Sequence, residues 1–184
     1  MKIIIFGASG VGTTTLGKSL AEKLNWTFLD ADDYYWEKTN PPFQQKIELK
    51  RRNEQLKKHF LNHENVIISG SLVTWGAFWN SAFDLGAFLS LPKAIRMDRL
   101  RKREQERYGK TLETDQAIKE KSKAFLAWAG KYDDEKFNGR TITQHRKWIS
   151  MLNCEVLEIH GDLTNGERQD RIIECLEDFR QKLT

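Results

Sequence analysis

The sequence predicts an α/β fold: a five-stranded parallel sheet with helices on both faces, in a three-layer α/β/α arrangement. Three observations carry that prediction. Short apolar runs alternate with longer segments of helical periodicity, the first run passes straight into a glycine-rich turn, and two later helices open on capping boxes. Strands and helices alternating in this way require right-handed crossovers. Such sheets take their ligands at the carboxyl ends of the strands.

The strand-like runs are Lys2–Phe6, Thr27–Leu29, Val66–Ser69, Ala87–Leu91 and Glu155–Ile159. Each is short and apolar, as strands covered on both faces tend to be. The first helix is predicted over Thr13–Leu24, where Leu16, Leu20 and Leu24 recur at four-residue spacing. An amphipathic segment follows at Ile47–Leu61, and further helices are predicted over 92–108, 114–131, 142–152 and 165–182. Thr141 with Gln144, and Thr164 with Glu167, have the spacing in which a side chain at each end satisfies otherwise unpaired N–H groups.

At 184 residues the chain reads as one domain, large enough to bury a core without disulfides or metal. Thirty Lys and Arg against 26 Asp and Glu give a formal charge of +4, which favours anionic ligands such as phosphates. That excess is too small to argue for nucleic acid by itself. Cys154 and Cys175 form no CxxC pair and fit no zinc spacing, so they read as reduced thiols of a cytoplasmic protein. The strand pattern begins at once, without a signal-peptide pattern, and no apolar run approaches the roughly 20 residues that span a bilayer. A soluble chain with no membrane partner is expected.

The stretch GASGVGTTTLGKS, residues 7–19, fits a phosphate-loop pattern in two registers. Gly12, Gly17, Lys18 and Ser19 satisfy G-x-x-x-x-G-K-[ST] fully; Gly7, Gly12, Thr13 and Thr14 satisfy it with threonine in the lysine position. The second register leaves the strand directly and gives a helix that presents all three leucines to the sheet. The first leaves barely two helical turns before the next strand. The loop is therefore assigned to Gly7, Ser9, Gly10, Val11, Gly12, Thr13, Thr14 and Thr15, with Lys18 in the second helical turn. Thr14 keeps the magnesium-binding hydroxyl, whereas Thr13 brings no charge to the β- and γ-phosphates.

With that loop, and with FLDADD after the second strand, the sequence resembles P-loop NTPases of the nucleoside monophosphate kinase-like kind. It is similar to the small-molecule kinases of the adenylate kinase, shikimate kinase and gluconate kinase group. GASGVGTTT also resembles the lysine-less Walker A loops of archaeal-type cytidylate kinases. The resemblance implies a core at 1–33, 64–95 and 152–184, an acceptor-binding insertion at 34–63 and a lid region at 96–151. It also implies ATP and Mg2+ as cofactors, and adenine packed near the loop His160–Thr164.

Asp30, Asp32 and Asp33 fall where the second strand should end, beside the phosphate loop. Carboxylates there can order magnesium and take the acceptor hydroxyl's proton, or they can simply cap a turn. By resemblance to shikimate kinases, Asp30 serves the metal and Asp32 the acceptor, with Asp33 as its substitute. Tyr34, Tyr35, Trp36 and the turn Asn40–Phe43 are candidates for one pocket wall, and Trp75 and Trp79 for another, although ordinary core packing is the better reading of each tryptophan taken singly. Arg51 or Arg52 can reach phosphate from the basic helix, although a solvated face explains most such runs.

Arg96, Arg99, Arg103 and Arg107 recur at spacings of three and four, a stripe along one helix face. Arg99 and Arg103 are the candidates for the charge missing at Thr13, against the alternative of a solvated face paired with acidic neighbours. Arg140, just before the capped helix at Thr141, is a further phosphate-binding candidate. His145 and the other histidines show no pattern for a base or a metal and read as surface or ordinary polar residues.

Together these features point to magnesium-assisted phosphoryl transfer from ATP to a small-molecule acceptor. The alternatives are a nucleoside monophosphate kinase and a nucleotide-binding protein without turnover. Against the first, GSLVTWG carries no arginine just after strand three; for the second, threonine stands at position 13.

Overall fold

The computed structural model describes residues 1–181. In chain order it contains β1 (Lys2–Gly7), α1 (Thr13–Leu24), β2 (Thr27–Asp30), α2 (Ala31–Tyr35), α3 (Leu49–Leu61), β3 (Val66–Ser69) and β4 (Leu85–Ser90). After these come α4 (Lys93–Tyr108), α5 (Thr111–Thr114), α6 (Gln116–Ala129), α7 (Ile142–Ile149), β5 (Glu155–His160) and α8 (Asn165–Gln181). The five strands form one sheet in the order β2-β3-β1-β4-β5, and every neighbouring pair is parallel.

The alternation of side chains along β1 builds the three layers. Ile3 and Ile5 pack to one side with Leu16 and Leu20 of α1 and Ile172 and Leu176 of α8. Ile4 and Phe6 pack to the other with Leu56 and Phe60 of α3 and Trp148 of α7. A strand buried on both faces in this way has no polar side to show, which is why KIIIF is continuous rather than alternating. Among the described residues no helix is long and apolar enough to cross a membrane.

Several boundaries differ from the sequence expectation, each for a local reason. The strand expected at Ala87–Leu91 begins at Leu85, because Gly86 lies inside it with Val156 of β5 packed against its bare backbone. The helix expected from Ile47 starts at Leu49, where Glu48 accepts from the N–H groups of Lys50 and Arg51. Asp115 splits the segment expected at 114–131 by capping α6, accepting from Ala117 and Ile118. The helix expected over 142–152 stops at Ile149. Of the helix expected over 165–182, residue 182 lies outside the described residues, as does the end of the segment 152–184. One capping box forms in full and the other through its threonine. The Thr141 hydroxyl accepts from Gln144 N at 3.2 Å, and Thr164 and Glu167 bond reciprocally.

Trp79 takes the core-packing alternative: it is fully buried on a short 3-10 turn, stacked on Phe83 and donating to Asn53 Oδ1 at 2.8 Å, and it lines no pocket wall. One histidine expectation is corrected. His145 is not at the surface. It has no solvent exposure, because α7 turns it into the apolar layer beside Phe6 and Phe88.

Candidate active site

At the carboxyl end of β1 the chain turns through residues 8–12 into α1. A Cβ on Gly7 would collide with the Leu89 carbonyl, and one on Gly10, at φ 88°, would lie 2.8 Å from the Arg96 carbonyl of α4. Gly12 stands at the N-cap of α1 in the left-handed region, at φ 97°, with no side-chain hydrogen bond capping the helix. The first N–H groups of α1 are thus left facing outward, the arrangement that binds an anion. Thr13 and Thr14 are half-buried and Thr15 is exposed, while Lys18 lies exposed in the second turn. Arg168 of α8 fixes the loop from behind, donating to Val11 O at 2.8 Å and Gly161 O at 3.3 Å.

The acidic cluster separates into three roles. Asp30 ends β2, is 9% exposed, and caps α2 by accepting from Asp32 N at 2.9 Å, so the turn-capping alternative holds for one of its oxygens. In the sheet it pairs with Ser69, whose buried hydroxyl has no partner. Asp32 is reached by water yet surrounded by protein. Burial, followed by the charge of Asp30, raises its carboxyl from the ordinary value, while Arg140, Arg103 and Arg107 pull it down. Asp33 faces elsewhere. Burial and then Asp30 raise it, and the opposing cations are Lys18 and Lys38 rather than any arginine.

The arginine stripe does not converge on one point. A helix rises about 1.5 Å per residue, so Arg99 and Arg107 stand roughly 12 Å apart along α4. Arg96 is buried, donates to Leu91 O and pairs with Asp133, so it is a structural residue. Arg99 pairs with Asp162 and, with Gly12, Thr15, Leu163, Thr164 and Arg168, lines a cavity of about 220 Å³. Arg99 thus stands beside the loop, where a Cβ on Gly12 would lie 3.9 Å from its guanidinium. The charges of Arg103 and Arg107 act on Asp32, and among the described residues the buried Nε of Arg103 has no hydrogen-bond partner. Arg140 joins them from outside the stripe, donating to Ser9 Oγ of the loop at 3.3 Å beneath the ring of Trp128.

The second wall also rearranges. Arg51 is exposed and pairs with Glu37 at 3.0 Å, so it points away from the cleft. Its neighbour Arg52 is buried instead, with its guanidinium 4.2 Å from the Tyr35 ring and 4.8 Å from the Trp75 ring, and its Nε has no partner. The signal was present in the sequence. Arg52, Leu56 and Phe60 share one face of α3 at four-residue spacing, which places the arginine on the apolar side. Trp36 packs edge-on against Phe43 and bridges to Lys46, whereas Tyr34 turns outward to His59. Arg107 was visible only as a member of the stripe, whereas Arg168 and the pair Tyr132 and Ser71, which flank His145, carried no sequence signal.

Comparison with known proteins places this architecture. Residues 3–123 match the model of the family described as AAA domain. The chain is 42% identical over 174 residues to uncharacterized protein YqaC of Bacillus subtilis, covering 95% of this chain and 96% of that protein. It is 32% identical over 115 residues to a cytidylate kinase of Archaeoglobus fulgidus, covering 56% of this chain and 62% of that one. A shikimate kinase from Bacteroides thetaiotaomicron shares the fold with a TM-score of 0.56 at 21% identity, over 96% of this chain and 98% of that chain.

Proposed function

The chain belongs to the AAA domain family, and from that premise we propose that it is an ATP-dependent phosphotransferase acting on a small hydroxylated acceptor with magnesium. The observation that carries the reading is Asp32. A carboxylate under the charges of Arg140, Arg103 and Arg107, beside an uncapped helix N-terminus, combines a proton acceptor with the cations a phosphoryl group needs.

Each residue has a task in this reading. The N–H groups from Gly10 to Thr15 hold the phosphates. Arg140, tied to Ser9, supplies beside the loop the charge that Thr13 lacks, with Arg103 as its partner. Asp32 accepts the hydrogen bond of the attacking hydroxyl, and its raised carboxyl makes it a better base than a free aspartate. Arg52, between Tyr35 and Trp75, lines the acceptor side. The cavity between Arg99 and Leu163–Asn165 takes the nucleoside. In domain terms, the insertion 34–63 holds the acceptor and the lid 96–151 covers it, both on the core 1–33, 64–95 and 152–184.

Magnesium, when bound with ATP, offsets charge on the transferring phosphoryl group. Thr14, Asp30 and the unpartnered hydroxyl of Ser69 fit it, since this ion keeps several waters and needs few protein ligands. The test is acceptor-dependent ADP formation with Mg-ATP across nucleosides, nucleoside monophosphates, sugar acids and shikimate-like acids. A chain that binds ATP, turns over no acceptor and is indifferent to Asp32→Asn would be a nucleotide-binding regulator instead. One observation favours a second acceptor class. The buried Arg52, together with the kinship to a cytidylate kinase, suits a monophosphate acceptor, and transfer confined to monophosphates would select it.

A further inference from the structure

Ser71, His145 and Tyr132 form a buried relay that none of these roles uses. His145 Nδ1 lies 2.6 Å from Tyr132 Oη and Nε2 lies 2.8 Å from Ser71 Oγ. Both rings are buried, His145 against Phe6 and Phe88. Burial, followed by the nearby Arg140 charge, lowers the imidazole to about 3, so it is neutral. Burial raises the phenol well above its ordinary value, so Tyr132 keeps its proton.

A neutral imidazole carries one N–H, which leaves two arrangements. If Nδ1 held it, His145 would donate to Tyr132 and the phenol proton would need another acceptor. The other charged groups about the phenol are Arg96, Arg140 and Arg146, which only donate, and Asp133, which pairs with Arg96. Among the described residues Tyr132 Oη has no second partner, and stranding a buried O–H costs about 1–3 kcal/mol. If Nε2 holds the proton, both rings are satisfied: Tyr132 donates to Nδ1, and Nε2–H donates to Ser71 Oγ.

The consequence falls on Ser71. Its oxygen accepts from His145, so its own hydrogen is free to be donated. The residue is half-buried and follows Gly70 at the carboxyl end of β3, where a Cβ on Gly70 would lie 2.8 Å from Ala31, the neighbour of Asp32. We propose that the Tyr132–His145–Ser71 relay fixes Ser71 as a hydrogen-bond donor to the acceptor molecule, recognising a second oxygen beside the one that Asp32 engages. The substrate class is then a compound with two neighbouring oxygens, one a reacting hydroxyl and the other an acceptor such as an ether, hydroxyl or carboxylate oxygen. This rests on the phosphotransferase reading.

Two measurements test it. In the full chain, imidazole 15N NMR is expected to show His145 protonated at Nε2 and bare at Nδ1, with Tyr132→Phe releasing the proton to both nitrogens. With the acceptor that the transfer panel identifies, Ser71→Ala is expected to raise the acceptor KM about 10-fold, roughly one good hydrogen bond. The ATP KM should stay unchanged, and Ser71→Thr should restore the wild-type value. An Nδ1–H tautomer overturns the relay, and an unchanged acceptor KM in Ser71→Ala overturns the contact. If no compound is phosphorylated, the phosphotransferase reading fails and takes the acceptor contact with it, whereas the Nε2–H signal would still establish the relay.

Discussion

At Asp32 stability and chemistry oppose each other. A carboxyl raised above its unfolded value favours the fold while protonated, and that contribution is lost as pH rises through the folded value. Asp32→Asn should therefore stabilise the ligand-free chain at neutral pH while removing the base. Water screens the site, so the gain is under about 1 kcal/mol, at most about 2–4 °C in Tm. Thermal melts of the two proteins at pH 4 and pH 7.5 check the sign, and the gap should open at the higher pH. Transfer should fall about 10²–10⁴-fold. His145 has the opposite linkage. Its lowered value makes the native state lose stability as pH falls below about 6.5, the unperturbed value, by up to about 1.4 kcal/mol per pH unit. Urea titrations between pH 7 and pH 4 should show this slope in the wild type and a flatter one in His145→Gln.

Among the elements, residues 96–151 and residues 34–63 are in contact. The Arg107 guanidinium lies 4.0 Å from the Phe43 ring, Tyr108 Oη donates to Pro42 O at 3.2 Å, and Lys121 donates to Gln44. A contact built on a cation over an aromatic ring is worth about 0.5–2 kcal/mol. Phe43→Ala should then raise the acceptor KM about 2- to 30-fold and leave nucleotide affinity unchanged, which isothermal titration with ADP measures. At the start of α8, Thr164→Ala breaks a reciprocal cap and should cost about 1 kcal/mol, about 2–4 °C in Tm.

Helix periodicity made the arginine stripe visible but could not say what stands opposite each turn. That is why Arg96, which the structure buries and pairs with Asp133, looked no different from the other three. Arg140 and Arg52 belong to different segments, and what stands beside each is decided by tertiary packing. Arg52 was nonetheless half-legible from its apolar neighbours on α3. α2 was missed because a five-residue helix has no period to read, although its cap, Asp30, was singled out.

Across the whole molecule, the sheet order and the two apolar layers bring the ends of β1, β2 and β3 side by side, so the loop, Asp30, Asp32 and Ser71 share one edge. This much of the fold was legible, because strands buried on both faces and a glycine turn leave strong local signals. A nucleotide held only by the folded state should stabilise the chain by about 2.7 kcal/mol at 100 times its Kd, so Mg-ATP should raise Tm by several degrees. Arg140→Met should lose part of that shift and about 10²–10³-fold in kcat.

The central claim is that guanidinium groups outside the loop supply the charge that Thr13 does not. It is tested most directly by a crystal structure with ADP, magnesium and a metal-fluoride mimic of the transferring phosphoryl group. The prediction is Arg140 in hydrogen-bond contact with the mimic, about 2.7–2.9 Å, with Arg103 beside it. A mimic touched by no guanidinium, or one reached by Lys18, would contradict it.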